Sequence, residues 1–98
     1  MHGLRQHFAR IAIISLPHRS DRREKLLANL TACGLATPAD ITWFDAVDGR
    51  METIPDWWTG GPGAWGCRFS QLRVIEQAQR DNLDNVLIIE DDSIFHPR

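Results

Sequence analysis

Three acids, Glu90, Asp91 and Asp92, follow directly on the apolar run at 86–89 in the stretch VLIIEDDSIF. On an extended strand Glu90 and Asp92 point to one side and Asp91 to the other. Residues two apart on a strand lie roughly 6.6 Å from each other. Two carboxylates at that spacing repel by about 2–3 kcal/mol at an effective dielectric near 20, and by about 0.6 kcal/mol in open water. The cluster is therefore cheap as a solvated turn and costly in a walled site. A divalent cation reverses the sign. Carboxylate oxygens suit Mg2+ or Mn2+, and Mg2+ is commonly held by one or two carboxylates together with substrate phosphates. On these residues alone, a solvated acidic turn and a metal site both stand.

A second group carries the opposite charge. Arg19, Arg22 and Arg23 crowd the start of a helical pattern, where positive charge opposes the helix dipole at a cost of roughly 0.3–1 kcal/mol per residue. A phosphate or diphosphate would justify the arrangement, met by helix N–H groups and guanidinium forks. Neutralisation by Asp21 and Glu24 in solvent is the plainer account. Asp45 and Asp48, in FDAVDGR, form a third group. Asp45 is placed to accept hydrogen bonds from a ribose or base, and an Asx turn closing at Gly49 is the alternative. The glycine-rich GGPGAWG lacks the Lys-Ser/Thr of a P-loop and reads as a flexible lead-in to a helix. Beside it, Trp57 and Trp58 offer rings for stacking on a base or sugar, or for ordinary burial.

These groups need elements to hold them. Residues 11–16, IAIISL, form a continuous apolar run that suits a strand buried on both faces. Ser20 reads as the N-cap of a helix over 21–33, with Leu26, Leu27, Leu30 and Cys33 on one stripe and Gly34 as its stop. Residues 41–44 read as a second strand, 63–80 as a second helix and 86–89 as a third strand. The second helix carries two apolar stripes. Cys67, Val74, Ile75 and Ala78 would face the sheet. Trp65, Phe69 and Leu72 would meet a second partner, either further chain or another subunit, or fold back onto residues 51–63. The order β-α-β-α-β argues for a parallel sheet with right-handed crossovers. In such a sheet ligands bind beyond the carboxyl ends of the strands, which is where all three polar groups fall.

The totals narrow the classes. Ninety-eight residues, 43% of them hydrophobic, suit one small α/β domain and exclude a disordered chain. The net charge of −2 offers no basic face for nucleic acid. No run approaches the ~18 apolar residues of a membrane span, and MHGLRQHFAR lacks the apolar region of a secretory signal. Cys33 and Cys67 read as reduced thiols, and a cytoplasmic setting is expected. His2, His7, His18 and His96 show no metal spacing and read as solvated.

The segments IAIISLPHRSDRR, WFDAVDGR, GAWGCRFSQLRV and VLIIEDD, taken together and in this order, resemble glycosyltransferase family 25, the lipopolysaccharide-type and procollagen-galactosyltransferase-like enzymes. The resemblance runs from Ile11 to Asp92. It implies a GT-A-like, Rossmann-like half-domain in which residues 1–98 are the N-terminal, nucleotide-sugar-binding portion of a longer chain. It implies transfer of a sugar, galactose-type, from a UDP-sugar to a saccharide, a lipid-linked saccharide or another hydroxyl acceptor. Glu90, Asp91 and Asp92 would then hold Mn2+ or Mg2+ and the diphosphate, with Arg19, Arg22, Arg23 and Asp45 on the donor. The chain departs from the family pattern at Ser15, where Asn is usual, at Ala64-Trp65, where Glu-Ile is common, and at Gln71, where His is common. Gln71 cannot accept a proton, so no catalytic base is assigned, and a non-enzymatic nucleotide-sugar-binding or assembly module is the alternative. The run VLIIEDD also looks like the acidic first strand of a phosphoacceptor receiver domain, but there it opens the domain and here it comes last.

Overall fold

The computed structural model describes residues 3–95. His2, His96 and the final Pro97-Arg98 lie outside the described residues. The architecture is α/β. Strands β1 (Ile11–Ser15), β2 (Ile41–Asp45) and β3 (Leu87–Glu90) form one sheet, joined by helices α1 (Ser20–Ala32) and α2 (Gly61–Arg80). The strand order is β2-β1-β3 and both pairings are parallel, with Ser15 opposite Asp45 and Ile14 opposite Glu90.

β1 is buried along its whole length, as its unbroken apolar run requires. Its alternate residues serve two cores. Ile11 and Ile13 pack with Leu26 and Leu30 of α1 and with Ile89, whereas Ala12 and Ile14 pack with Val74 of α2. The two helices therefore cover opposite faces of the sheet. Among the described residues no helix is long and apolar enough to cross a membrane.

α1 stops as its sequence requires. Gly34 takes φ +68, and Leu35 N–H and Gly34 N–H donate to the carbonyls of Leu30 and Thr31. These are the paired bonds of a Schellman cap, and α2 closes in the same way with Asn82 at φ 56. The start of α1 differs from the expectation. Ser20 is the first helical residue, and the N-cap is Arg19, which makes no side-chain cap bond.

α2 begins at Gly61 rather than Gly63, with Pro62 in its first turn, the position where a missing N–H costs nothing. The glycine-rich stretch is thus the helix's first turns and not a flexible lead-in. The buried stripe is Gly66, Ser70, Val74 and Ala78. Cys67 and Ile75, assigned to that stripe from hydropathy, are exposed. Small residues occupy it because α2 runs directly against backbone. A Cβ on Gly66 would stand 2.4 Å from Val47 O, and one on Gly49 would stand 1.7 Å from Pro62 O. Ser70 Oγ completes the seam by accepting from Val47 N–H at 2.8 Å and donating to Gly66 O at 2.7 Å.

Trp65 folds back onto the segment before α2, where it meets Trp57 and Trp58, and Phe69 packs on Trp65. Leu72 remains exposed.

The seam predicts a contrast between two glycines of one helix. Gly66→Ala should lower stability by about 1–3 kcal/mol, because a well-packed contact must open. Gly63→Ala, with nothing within 4 Å of the new methyl, should be neutral or stabilising by up to ~1 kcal/mol. Urea denaturation of the two variants measures this. Equal stabilities would show that the glycine contact does not hold α2 in place.

Candidate functional site

The three parallel strands end on one rim, at Ser15, Asp45 and Glu90. From that rim the chain leaves β1 for α1 on one face and leaves β2 for α2 on the other. The order 2-1-3 therefore opens a crevice at the carboxyl ends of β1 and β3, the switch point where ligands of open α/β sheets bind. A cleft of about 350 Å³ lies there. Its floor is Ile14, Ser15 and Leu16. Arg22 comes from α1, Val47, Asp48 and Gly49 from the loop after β2, Cys67 and Ser70 from α2, and Glu90, Asp91 and Asp92 from β3 and the turn beyond it.

The acidic triplet does not continue the strand. β3 ends at Glu90, and Asp91 and Asp92 lie in a turn closed by Ser93 N–H donating to Glu90 O at 3.1 Å. Strand alternation thus stops before Asp92, and the three side chains part company. Glu90 turns to α2, where its Oε1 accepts from Cys67 Sγ at 2.6 Å and Gln71 Nε2 at 3.1 Å. Asp91 turns to α1, where its Oδ1 lies 3.4 Å from Arg22 Nη1. Asp92 is exposed at the cleft, with no ion pair among the described residues. The segment after the turn is tied down by Asn29 of α1. Its amide donates to Phe95 O at 2.8 Å, and its carbonyl oxygen accepts from Phe95 N–H at 2.7 Å.

The three arginines also separate. Arg19 binds Asp21 through two bonds of 3.0 Å. That hydrogen bond is the main reason the Asp21 carboxyl is held down at about 2, and it raises Arg19 in turn. Neutralisation by Asp21 is therefore what happens at Arg19, while Glu24 has no ion pair among the described residues. Arg23 is a fastener. It donates to Ser15 Oγ at 3.1 Å, to Ser15 O at 3.2 Å and to Asp45 Oδ1 at 3.0 Å, and it stacks 5.2 Å from the Trp43 ring. It locks the ends of β1 and β2 together and, like Arg19 and Asp45, does not line the cleft. Arg22 alone of the three does. Its contact with Asp91 is long and its side chain is 44% exposed, so the pair holds Arg22 weakly.

Asp48 caps the short 3₁₀ turn Gly49–Met51 by accepting from Arg50 N–H at 3.0 Å. The Arg50 guanidinium, followed by that backbone bond, holds its carboxyl down at about 2. Asp48 therefore forms the expected Asx turn and also walls the cleft. The residues sequence reasoning passed over are Val47, Cys67 and Ser70. The only signal for them was their presence in WFDAVDGR and GAWGCRFSQLRV, segments read for likeness and not for packing.

Among the described residues no three His, Cys, Asp or Glu side chains converge closely enough to hold a metal ion. The acidic turn is thus not a three-carboxylate cage. It presents Asp91 and Asp92 at the cleft while Glu90 is engaged elsewhere. Two hard oxygen donors fit a Mg2+ or Mn2+ ion whose remaining positions are filled by phosphate oxygens and water.

Cys67 supplies a chemical check on this geometry. The hydrogen bond to Glu90, then partial burial, then the Glu90 charge raise its thiol from 9.0 to about 11. Below that pH it stays protonated, and its reactivity should climb only as the pH approaches 11. In a Cys33→Ser background, iodoacetamide at pH 8 should alkylate Cys67 about 10-fold more slowly than an unperturbed thiol, since the thiolate reacts and its greater nucleophilicity at high pKa offsets only part of the loss. Glu90→Gln should accelerate it. An ordinary rate that ignores Glu90→Gln would contradict the contact.

No protein-family model and no solved structure matches the chain. Two curated proteins do. A glycosyltransferase 25 family member from Anopheles gambiae is 30% identical over 89% of this chain, and one from Aedes aegypti is 32% identical over 89% of it. Those matches cover 17% and 16% of the two proteins, so the chain spans about a sixth of the length of the curated relatives it matches. Over 89% of its length this chain is thus similar in sequence to a part of two glycosyltransferase 25 family members.

Proposed function

We propose that this chain forms the nucleotide-sugar-binding part of a GT-A-type glycosyltransferase. The reaction is transfer of a hexose, galactose-type, from a UDP-sugar to a hydroxyl of a saccharide or lipid-linked saccharide. One observation carries the reading. In a relative of this family, the switch-point cleft has a loosely held arginine, Arg22, on one wall and the carboxylates Asp91 and Asp92 on the other.

A diphosphate needs positive charge and directional donors. Arg22 supplies a forked donor and can exchange its 3.4 Å contact with Asp91 for a phosphate at little cost. Asp91 and Asp92 are the residues that would hold Mn2+ or Mg2+, which when bound offsets charge on the departing diphosphate. Glu90, fixed by Cys67 and Gln71, forms the far wall. Asp45 lies beside the cleft and is paired with Arg23 through Oδ1, but its side chain is 72% exposed, and its second carboxylate oxygen would take a hydrogen bond from the nucleoside. Arg23 contributes indirectly by setting the strand ends, and Arg19, neutralised by Asp21, stays outside the contact.

Titration calorimetry with UDP-galactose and Mn2+ tests this reading. Binding should require the metal. Arg22→Ala, Asp91→Asn and Asp92→Asn should each weaken it at least ~10-fold, a loss of about 1.4 kcal/mol. Arg19→Ala should change it far less. Metal-independent binding, or wild type and Asp92→Asn alike, would remove the proposal.

Gln71 favours a second reading, a binding or assembly module without turnover. Its amide is spent on Glu90 and it cannot take a proton from an acceptor. Release of UDP from UDP-galactose by the chain would end that alternative.

A further inference from the structure

The surface of α2 that faces away from the sheet is not an ordinary solvated face. Trp65, Arg68, Phe69, Leu72 and Arg73 recur at three- and four-residue spacing and so share one stripe. Trp57 and Trp58 join it from the preceding segment. The four rings meet at their edges or tilted. Centroids are 5.1 Å apart for Trp58–Trp65, 6.0 Å for Trp57–Trp65 and Trp65–Phe69, and 6.4 Å for Trp57–Trp58. Trp58 is fixed further by its indole N–H donating to Gly61 O at 2.7 Å.

As a stabilising cluster this is wasteful. Trp57 remains 72% exposed. The Trp65 indole N–H is buried with no acceptor among the described residues, which leaves a desolvated donor unmatched. Two cations lie over the rings, an arrangement that attracts them but leaves their charge unmatched by any anion among the described residues. The Arg68 guanidinium lies 6.0 Å from the Trp58 ring centre, and that of Arg73 lies 5.4 Å from Phe69. Neither pairs with a carboxylate among the described residues.

We propose that the platform of Trp57, Trp58, Trp65 and Phe69, flanked by Arg68 and Arg73, binds an anionic oligosaccharide, the acceptor chain of the reaction proposed above. A pyranose ring has a flat face of C–H bonds that packs on an indole, while its rim carries hydroxyls. Carboxylate or phosphate groups on such a chain match two unpaired guanidinium forks. The edge contacts hold the rings in place before binding, so little ordering is lost on association. The platform lies across α2 from the cleft, about one helix diameter, on the order of 10 Å, away. That separation suits successive sugars of a chain and not the base of the donor. A single-stranded nucleic acid also stacks on aromatics beside arginine, so oligo-dT is an arm of the test.

The role as acceptor site rests on the proposed transferase function, but binding at the platform is measured independently of it. The probes are a short oligogalacturonate and an uncharged galacto-oligosaccharide of equal length, followed by the indole N–H resonances and tryptophan fluorescence. The acidic probe should bind at least ~10-fold more tightly than the neutral one at low salt and should shift the Trp57 resonance. Trp57→Ala, at an exposed position that should not disturb folding, should weaken it at least ~10-fold. Arg68→Gln with Arg73→Gln should bring the two probes level. No binding, equal binding of both probes, indifference to Trp57→Ala, or tighter binding of oligo-dT would each overturn the proposal. Calorimetry of UDP-galactose on Trp57→Ala separates the two readings. Unchanged donor binding supports a distinct acceptor platform. Donor binding lost with Trp57 would assign the rings to the donor and overturn it. Saccharide binding by a wild-type chain that ignores the donor would leave the platform standing and remove the transferase reading.

Discussion

Strand β1 must be buried on both faces, and the site follows from that constraint. Five consecutive buried residues, Ile11–Ser15, cannot be covered from one side, because successive side chains point oppositely. α1 is therefore drawn to the Ile11 and Ile13 face and α2 to the Ala12 and Ile14 face. Helices on both sides of a parallel sheet leave a crevice at the strand's carboxyl end. Arg22, Asp91 and Asp92 meet there because α1 starts, and β3 ends, at that rim.

The second determinant is contact between backbones. α2 reaches the loop after β2 only because Gly66 and Gly49 have no Cβ, and Ser70 then ties the Val47 amide to the helix. This seam forms one wall of the cleft and fixes Cys67 and Gln71, which in turn hold Glu90. The charged residues are thus set by two kinds of support: the Arg23 fastener across the ends of β1 and β2, and the glycine seam across the loop and α2.

Much of this was legible in the sequence, and the exceptions have physical causes. The apolar run of β1, the Leu26 and Leu30 stripe and the Gly34 stop give strand, helix and cap directly, because burial and φ > 0 leave few alternatives. Asp48-Gly49 announced its turn. The stripe of α2 was misplaced at Ile75 and Cys67. Hydropathy looks for large apolar residues, whereas this helix packs through Gly66 and Ser70 at distances that exclude large ones. The acids were read as alternating along a strand, but the strand ends at Glu90 and the turn reorients Asp92. Which arginine faces the cleft was not legible at all. Arg22 and Arg23 are adjacent and alike in type, and only the reach of each side chain, one to Asp91 and one to Ser15 and Asp45, tells them apart.

The central claim is that a diphosphate and its ion bind between Arg22 and the turn at Asp91 and Asp92. Paramagnetic broadening by Mn2+ in the presence of UDP locates that ion directly. The account predicts loss of amide signals near Ser15, Leu16, Asp48, Cys67 and residues 91–93, dependent on UDP. The signals of Arg10, Asp81 and Asn85, at the opposite ends of the strands, should stay sharp. Broadening centred on Asp81 and Asn85, or spread evenly over surface carboxylates whether or not UDP is present, would contradict it.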